Sequence, residues 1–327
     1  MNRQVVRWGI LGTASIATRR LIPAMNVSTR NEVVAIGSRD VARAQSVAGE
    51  FGIARAFGSY DEVLTCDAVD AVYIPLPNHM HLEWSLRAIE AGKHVLCEKP
   101  IGLSAGEART LQVAAEAHPA LTVMEAFMYR CHPRWKRIHE MVWSGMIGEL
   151  GNVQTVFTYD NRDPQNIRNN CAMGGGAWLD IGCYGVSVAR YLFGTEPSVV
   201  RGTTEVDLVF GTDRLTTAVL AFGAGTATVT CATQLAAHQA VTIHGSIGRI
   251  EVPLPFNPPG GEQSSIFLHR DGGVEETVIA ACDQFVDEVD QFAGAVFDGD
   301  APPVSLDDSV SNMMVLDFLA RTAQTDL

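Results

Sequence analysis

The sequence predicts an α/β chain in two parts. A parallel sheet with helices on both faces comes first, then a second α/β domain built on a mainly antiparallel sheet. Three observations carry this. Over the first 125 residues short apolar runs alternate with helical patterns, as in repeated β-α units. After Gly151 strand-like segments follow one another with one clear helix among them. The length of 327 residues suits two domains and a large core. The boundary falls at the change of pattern, giving residues 1–125 and 126–327.

The elements follow in order. Val5 to Leu11 is a short apolar strand that ends at a glycine, and Leu21 to Val27 belongs to a helix. Glu32 to Gly37 is a strand, followed by a helix over Val41 to Phe51. Ala71 to Pro75 has the continuous apolar character of a buried strand, and His81 to Ala91 is a helix stopped by Gly92. His94 to Cys97 is a strand, Leu103 to Ala117 a helix and Leu121 to Glu125 a strand. Arg134 to Trp143 is a helix that stops at Gly145. Strands are expected over Asn152 to Tyr159, Val199 to Phe210, Leu215 to Phe222, Thr226 to Gln234, Ala240 to His244 and Arg249 to Val252. The helix among them is Cys183 to Phe193. Two amphipathic helices close the chain, Cys282 to Phe297 and Ser305 to Thr322, separated by Pro302-Pro303.

Composition narrows the function. Hydrophobic residues make up 47% and charged residues 19%, the balance of a soluble globular protein. The formal net charge is −13, which argues against nucleic acid and anionic membranes as partners. The uncharged stretch Leu215 to His244 contains Gly223 and Gly225 and reads as strand, turn, strand rather than a membrane span. Seven cysteines with no C-x-x-C pair suggest neither a disulfide framework nor a zinc ribbon, so reduced thiols are expected. Only two valines precede Arg7, so no secretory apolar region is seen and a cytoplasmic location is expected.

Five segments carry chemistry. Gly12-Thr13-Ala14-Ser15-Ile16-Ala17 follows the first strand and opens a helix, where a dinucleotide fold turns a helix N-terminus toward a pyrophosphate. Ala14 stands where the G-x-G-x-x-G/A pattern has its second glycine. Ser38-Arg39-Asp40 ends the second strand. A carboxylate at that strand end would hold the ribose 2′-hydroxyl of NAD, whereas an arginine accommodates the 2′-phosphate of NADP. Ser38 and Arg39 therefore indicate NADP, with Asp40 read as the cap of the next helix. Pro75, Leu76, Asn78 and His81 lie on a loop beyond a strand end, which lines the cofactor. Its His79-x-His81 pair has no third ligand nearby in sequence, and no metal is expected.

Glu98-Lys99-Pro100 sets a lysine at the carboxyl edge of the sheet, in place to touch a nicotinamide ribose or a reacting hydroxyl. Gly174-Gly175-Gly176 gives a flexible approach to Asp180 and Tyr184, which share one face of a helix. An acid and a phenol together can serve proton transfer, although Asp180 as a cap and Tyr184 as a core residue is the plainer reading of that segment alone.

Taken together these segments resemble the Gfo/Idh/MocA oxidoreductase family, from Trp8 to about Ala320. The most specific parts are Gly92 through Pro100, Glu125-Ala126-Phe127-Met128-Tyr129-Arg130 with His132-Pro133, and Gly174 through Tyr184. Gln284-Phe285 and Glu288-Val289 also fit its C-terminal pattern. The resemblance implies a Rossmann domain followed by an α/β domain with an open-faced sheet, which commonly forms the subunit interface. A homodimer or homotetramer through that sheet is thus expected. It implies catalysis by Lys99, with a Lys99-Pro100 bond that is often cis. It implies Asp180 and Tyr184 in the D-x-G-x-Y form of the second motif. That form belongs to the branch of glucose–fructose oxidoreductase, dimeric dihydrodiol dehydrogenase and NADP-dependent D-xylose dehydrogenases. The histidine typical of inositol dehydrogenases is absent.

The expected reaction moves a hydride between a sugar or diol carbinol and NADP, with the protein orienting the cofactor and moving one proton. Tyr184 is the acid/base candidate. A free phenol has a pKa of about 10, and a nearby ammonium lowers it, for which Lys99 is the candidate. Asp180 would hold Lys99 or a substrate hydroxyl. Glu98 and Arg130 join the cofactor set, and Trp178, Arg168 and Asp163, with Asn161 nearby, join Lys99, Asp180 and Tyr184 in the substrate set. Arg130, Trp178, Asn161, Asp163 and Arg168 have an equal claim as salt-bridge or packing residues. An aldose dehydrogenase of the xylose or glucose type is the leading expectation. A keto-sugar reductase, a dihydrodiol dehydrogenase and a non-catalytic NADP(H) sensor are the alternatives.

Overall fold

The computed structural model describes residues 4–322 and divides them into two compact units. The first comprises the chain up to Gly102, Gly106–Cys131 and Asp283–Val310. The second comprises Leu103–Ala105, His132–Cys282 and the chain from Ser311.

The first unit holds a six-stranded parallel sheet. Its strands are β1 (Val6–Leu11), β2 (Asn31–Gly37), β3 (Arg55–Phe57), β4 (Ala71–Ile74), β5 (His94–Glu98) and β6 (Val123–Ala126), in the order β3-β2-β1-β4-β5-β6. The order reverses direction at β1, the switch point where open parallel sheets bind ligands beyond their carboxyl ends. Trp8, Ile10, Val72, Tyr73, Val95 and Leu96 are buried, as continuous apolar strands covered on both faces require. The short strand β3 and the helix Tyr60–Leu64 were not anticipated, because neither is long enough to show a period.

Residues 283–310 join this first unit, whereas the pattern change places them with the second domain. The reason is packing. Helix Gln284–Phe297 buries Phe285, Val289, Phe292 and Ala293, and Phe292 meets Trp8 with ring centroids 4.9 Å apart. Each such large side chain contributes about 1.5–3 kcal/mol on burial. Asp290 Oδ1 also accepts from Ser28 Oγ at 2.5 Å and Asn31 Nδ2 at 3.0 Å.

The second unit holds an eight-stranded sheet. Its strands are β7 (Leu150–Asp160), β8 (Val199–Val206), β9 (Asp213–Phe222), β10 (Gly225–Ala232), β11 (Gln234–Gly245), β12 (Gly248–Pro253), β13 (Glu262–Arg270) and β14 (Gly273–Cys282). The order is β14-β13-β12-β11-β7-β10-β9-β8, and every pair is antiparallel except β10 with β7. Helix Cys183–Phe193 covers one face, with Val186, Val188, Ala189 and Leu192 buried. The region 215–244 contains parts of three strands, and β11 begins at Gln234 rather than at the expected Ala240, because only Thr233 links it to β10. Strand β8 ends at Val206, short of the expected Phe210, where Asp207 Oδ1 accepts the Val209 and Phe210 amides in a turn.

Candidate active site

In the first unit most residues expected to meet the cofactor follow the carboxyl ends of β1, β2, β4 and β5, and Arg130 follows β6. Gly12 leaves β1 at φ +114° and donates its amide to Gly37 O at 2.8 Å. A Cβ there would come within 3.2 Å of Leu76 Cδ2, so glycine answers both the backbone angle and the close approach. Helical backbone begins at Ser15, and the Ala14 carbonyl accepts the Thr18 amide at 3.1 Å. Thr13, Ala14, Ser15 and Ile16 thus form a turn that opens a helix, whose first amides lack intrahelical partners and suit a phosphate.

The end of β2 separates the roles of its three polar residues. Asp40 Oδ1 accepts from the amides of Ala42 at 3.0 Å and Arg43 at 3.4 Å, so it caps helix Val41–Phe51. Ser38 is nearly buried, and its Oγ accepts the Asp40 amide at 3.2 Å. Arg39 is exposed. The carboxylate at this strand end is engaged by its helix, and a guanidinium stands open to solvent. These residues fit a 2′-phosphorylated dinucleotide.

Lys99 follows β5 in a turn built from buried polar groups. Its peptide bond to Pro100 is cis. Glu98 Oε1 accepts from Tyr73 Oη at 2.6 Å, and Glu98 Oε2 accepts the Lys99 amide at 3.3 Å. Burial, aided by the Glu98 charge, pushes the Tyr73 phenol up. Glu288, fully buried nearby, is raised well above the carboxylate range by burial and then by Glu98. Glu125 Oε1 accepts the Ile101 amide at 2.9 Å, and burial lifts Glu125 to about 7. His81 is fully buried, with Nδ1 2.7 Å from Pro100 O and Nε2 2.7 Å from Leu76 O; burial lowers it to about 4. Pro75 and Leu76 are buried, and Asn78 opens a short helical turn, Asn78–Met80. Arg130 pairs with Asp308 at 2.9 Å.

In the second unit the chain from Trp178 winds continuously through Asp180 into helix Cys183–Phe193. Asp180 therefore lies within helical backbone and does not cap it. Its Oδ2 accepts from Tyr159 Oη at 2.6 Å and Arg168 Nε at 2.9 Å. The Asp180 charge raises the Arg168 guanidinium, while burial and then Asp180 raise the Tyr159 phenol. Tyr184 is buried one turn on, its ring 4.8 Å from Phe256 and 5.7 Å from Phe157 between centroids. Trp178 is buried too and donates Nε1 to Leu316 O at 3.0 Å. Asp163 is exposed in a loop, where its Oδ1 accepts the Gln165 amide at 2.9 Å, and the Asn161 side chain turns the same loop by accepting the Asp163 amide at 3.1 Å.

The glycine run is packed, not loose. Gly176 sits at φ +117°, and a Cβ there would fall 1.9 Å from Asp213 Oδ1. Asp213 Oδ2 accepts the Trp178 amide at 2.6 Å, and burial raises Asp213 to about 7. The sequence reading singles out Asp180 and Tyr184 but not Tyr159, which bonds Asp180, or Asp213, which bonds the Trp178 amide. Tyr159 is recoverable only as an alternating position of β7, and Asp213 has no local signal. Among the described residues no group of three metal-ligating side chains occurs, and no helix is long and apolar enough to cross a membrane.

Comparison with known proteins shows what the chain is similar to. Residues 6–127 match the oxidoreductase family pattern described as an NAD-binding Rossmann fold, and residues 135–251 match the GFO/IDH/MocA C-terminal domain. D-xylose 1-dehydrogenase (NADP(+)) 2 of Haloferax volcanii is 39% identical over 97% of each chain. The dTDP-3,4-didehydro-2,6-dideoxy-alpha-D-glucose 3-reductase of Actinomadura kijaniata is 35% identical over 100% of this chain and 98% of its own. The crystal structure of KijD10, a 3-ketoreductase from Actinomadura kijaniata in complex with NADP and TDP-benzene, superposes with a TM-score of 0.93. It has 34% identity and 98% coverage of both chains.

Proposed function

The chain belongs to the Gfo/Idh/MocA oxidoreductase family, and on that premise we propose that it is an NADP-dependent dehydrogenase of sugar or vicinal-diol carbinols, foremost of aldoses. The observation that supports this reading most is the Asp180–Tyr184 face, with Asp180 held by both Tyr159 and Arg168. A protein that only bound a dinucleotide needs no buried carboxylate held by two donors one turn before Tyr184.

Bound NADP supplies the hydride acceptor. The chain's residues do the rest. Gly12 through Ile16 receive the pyrophosphate, and Ser38 and Arg39 receive the 2′-phosphate. Leu76, Pro75, Asn78 and the Glu98-Lys99 strand end border the nicotinamide side. Lys99 orients the reacting hydroxyl. Tyr184 takes or returns the hydroxyl proton, and Asp180 keeps the helix turn and Arg168 in place. Trp178, Arg168 and Asp163 line the sugar side, and Arg130 braces the cofactor side through Asp308.

A second reading is favoured by the ketoreductase structure, which is 34% identical and covers 98% of this chain: reduction of a keto-sugar by NADPH with the same groups. Absorbance of the nicotinamide tests both. Reduction of NADP by an aldose, polyol or vicinal diol supports the first reading. Oxidation of NADPH by a keto-sugar, with no reaction from the alcohols, replaces it by the second. Tight NADPH binding without turnover of either class overturns both.

The accompanying proposals are a cytoplasmic location and a homodimer or homotetramer through the eight-stranded sheet. Val219, Leu235, Val274 and Val278 are exposed on its strands, which supports a covered face. Sedimentation equilibrium would show a monomer if this is wrong.

A further inference from the structure

We infer that His81 and Glu125 are positioning residues for Lys99, clamping the turn Lys99-Pro100-Ile101 by its Pro100 carbonyl and its Ile101 amide. The inference rests on the reading that Lys99 takes part in the chemistry.

Three successive residues of this turn are held by side chains. The Lys99 amide meets Glu98 Oε2, the Pro100 carbonyl meets His81 Nδ1, and the Ile101 amide meets Glu125 Oε1. His81 is 0% and Glu125 1% exposed. Packing alone would be served by apolar side chains, and burying an imidazole and a carboxyl carries a penalty unless each makes its bonds. A lysine side chain has many rotamers, and the position of its ammonium depends in part on the backbone beneath it. A misplacement of about 1 Å in a reacting geometry costs on the order of a hundredfold in rate.

His81 reaches a second carbonyl, Leu76 O, on the loop that borders the cofactor side. A neutral imidazole has one N–H, so it bonds only one of the two carbonyls at a time. The two amide replacements separate these contacts. The Asn amide nitrogen stands near the place of Nδ1 and preserves the Pro100 bond. The Gln amide nitrogen stands near the place of Nε2 and preserves the Leu76 bond.

The test is a cycle in kcat, read as NADP reduction with D-xylose or as NADPH oxidation with a keto-sugar, whichever the protein turns over. NADPH affinity is followed by nicotinamide fluorescence and folding by thermal melting. Glu125→Leu and His81→Gln are expected to lower kcat about ten- to hundredfold, with NADPH affinity within about threefold. Glu125→Gln, which keeps the bond to the turn, is expected to stay within about threefold of the parent, and His81→Asn to lose less than His81→Gln. In a Lys99→Ala background the same losses shrink to about twofold or less. Exchange of the Ile101 amide, which is independent of turnover, is expected to quicken in Glu125→Leu and not in Glu125→Gln. Equal losses in both backgrounds, or conservative variants as damaged as the others, would overturn the inference. Full activity of Lys99→Ala alone would instead remove the reading of Lys99 on which it stands.

Discussion

Tyr159 donates its phenolic hydroxyl to Asp180 Oδ2 at 2.6 Å, on the oxygen that also receives Arg168 Nε. The pair joins the end of β7 to the helical turn that carries Tyr184. Removing the hydroxyl leaves the Asp180–Arg168 ion pair intact, so Tyr159→Phe is expected to lose about 1 kcal/mol. Asp180→Asn leaves both donors without their anion and is expected to lose about 2–3 kcal/mol. Urea unfolding of the two variants gives the comparison, and a larger loss for Tyr159→Phe would contradict it.

Tyr184→Phe keeps the ring that packs on Phe157 and Phe256. It is expected to fold normally, bind NADPH normally and lose turnover by about a hundredfold or more. Near-parental turnover would take the acid/base role from Tyr184.

Arg39 stands exposed beyond β2 while Asp40 is engaged in capping. Arg39→Ala is therefore expected to weaken NADP binding about tenfold or more, equivalent to about 1.4 kcal/mol, with little effect on NAD. Titration of both dinucleotides checks this. An equal loss for both would place Arg39 away from the 2′-phosphate.

Stability should respond to pH through several buried groups, and His81 and Glu125 pull in opposite directions. His81 is lowered from 6.5 to about 4, so the unfolded chain takes up the proton first. Its contribution is complete above pH 6.5 and lost as pH falls toward 4, by about 3 kcal/mol. Glu125 is raised from 4.5 to about 7, so the unfolded chain gives up the proton first. Its contribution is complete below pH 4.5 and lost as pH rises toward 7, by about 3 kcal/mol. The two slopes oppose in the shared window. Relative to the parent, Glu125→Gln should shift the slope between pH 4.5 and 7 toward loss on acidification, and His81→Asn toward loss as pH rises. Denaturant midpoints across that range test the signs.

Gly176→Ala would drive a methyl into Asp213 and force a positive φ on alanine. A destabilisation of about 2–4 kcal/mol is expected, as for a strained backbone combined with overpacking. A melting temperature unchanged from the parent would show that Asp213 can move aside.

Much of this was readable along the chain. The Val41–Phe51 helix matches its expected bounds, set by the Asp40 cap and Gly52, and the Cys183–Phe193 helix ends as expected before the left-handed Gly194. Strands β13 and β14 were not foreseen. Strand β14 is an edge strand, mostly exposed and carrying Glu275 and Glu276, so it lacks the apolar alternation that marks a half-buried strand. The glycine run was read as flexible. Its actual reason, the approach of Asp213 to Gly176 from 37 residues away, is invisible until the chain has folded.

The sequence by itself determined most of the β-α order of the first unit, the turn at Gly12 and the cap at Asp40. All of these are set within a few residues, where hydrophobic period, dihedral freedom and helical spacing act. Tertiary structure alone decided that Gln284–Phe297 returns to the first sheet and that Tyr159 and Arg168 converge on Asp180. It also decided that Glu125 and His81 meet at the Lys99 turn. The physical reason is that burial and its shift of proton affinity belong to the environment around a side chain. Distant segments assemble that environment only when the core closes.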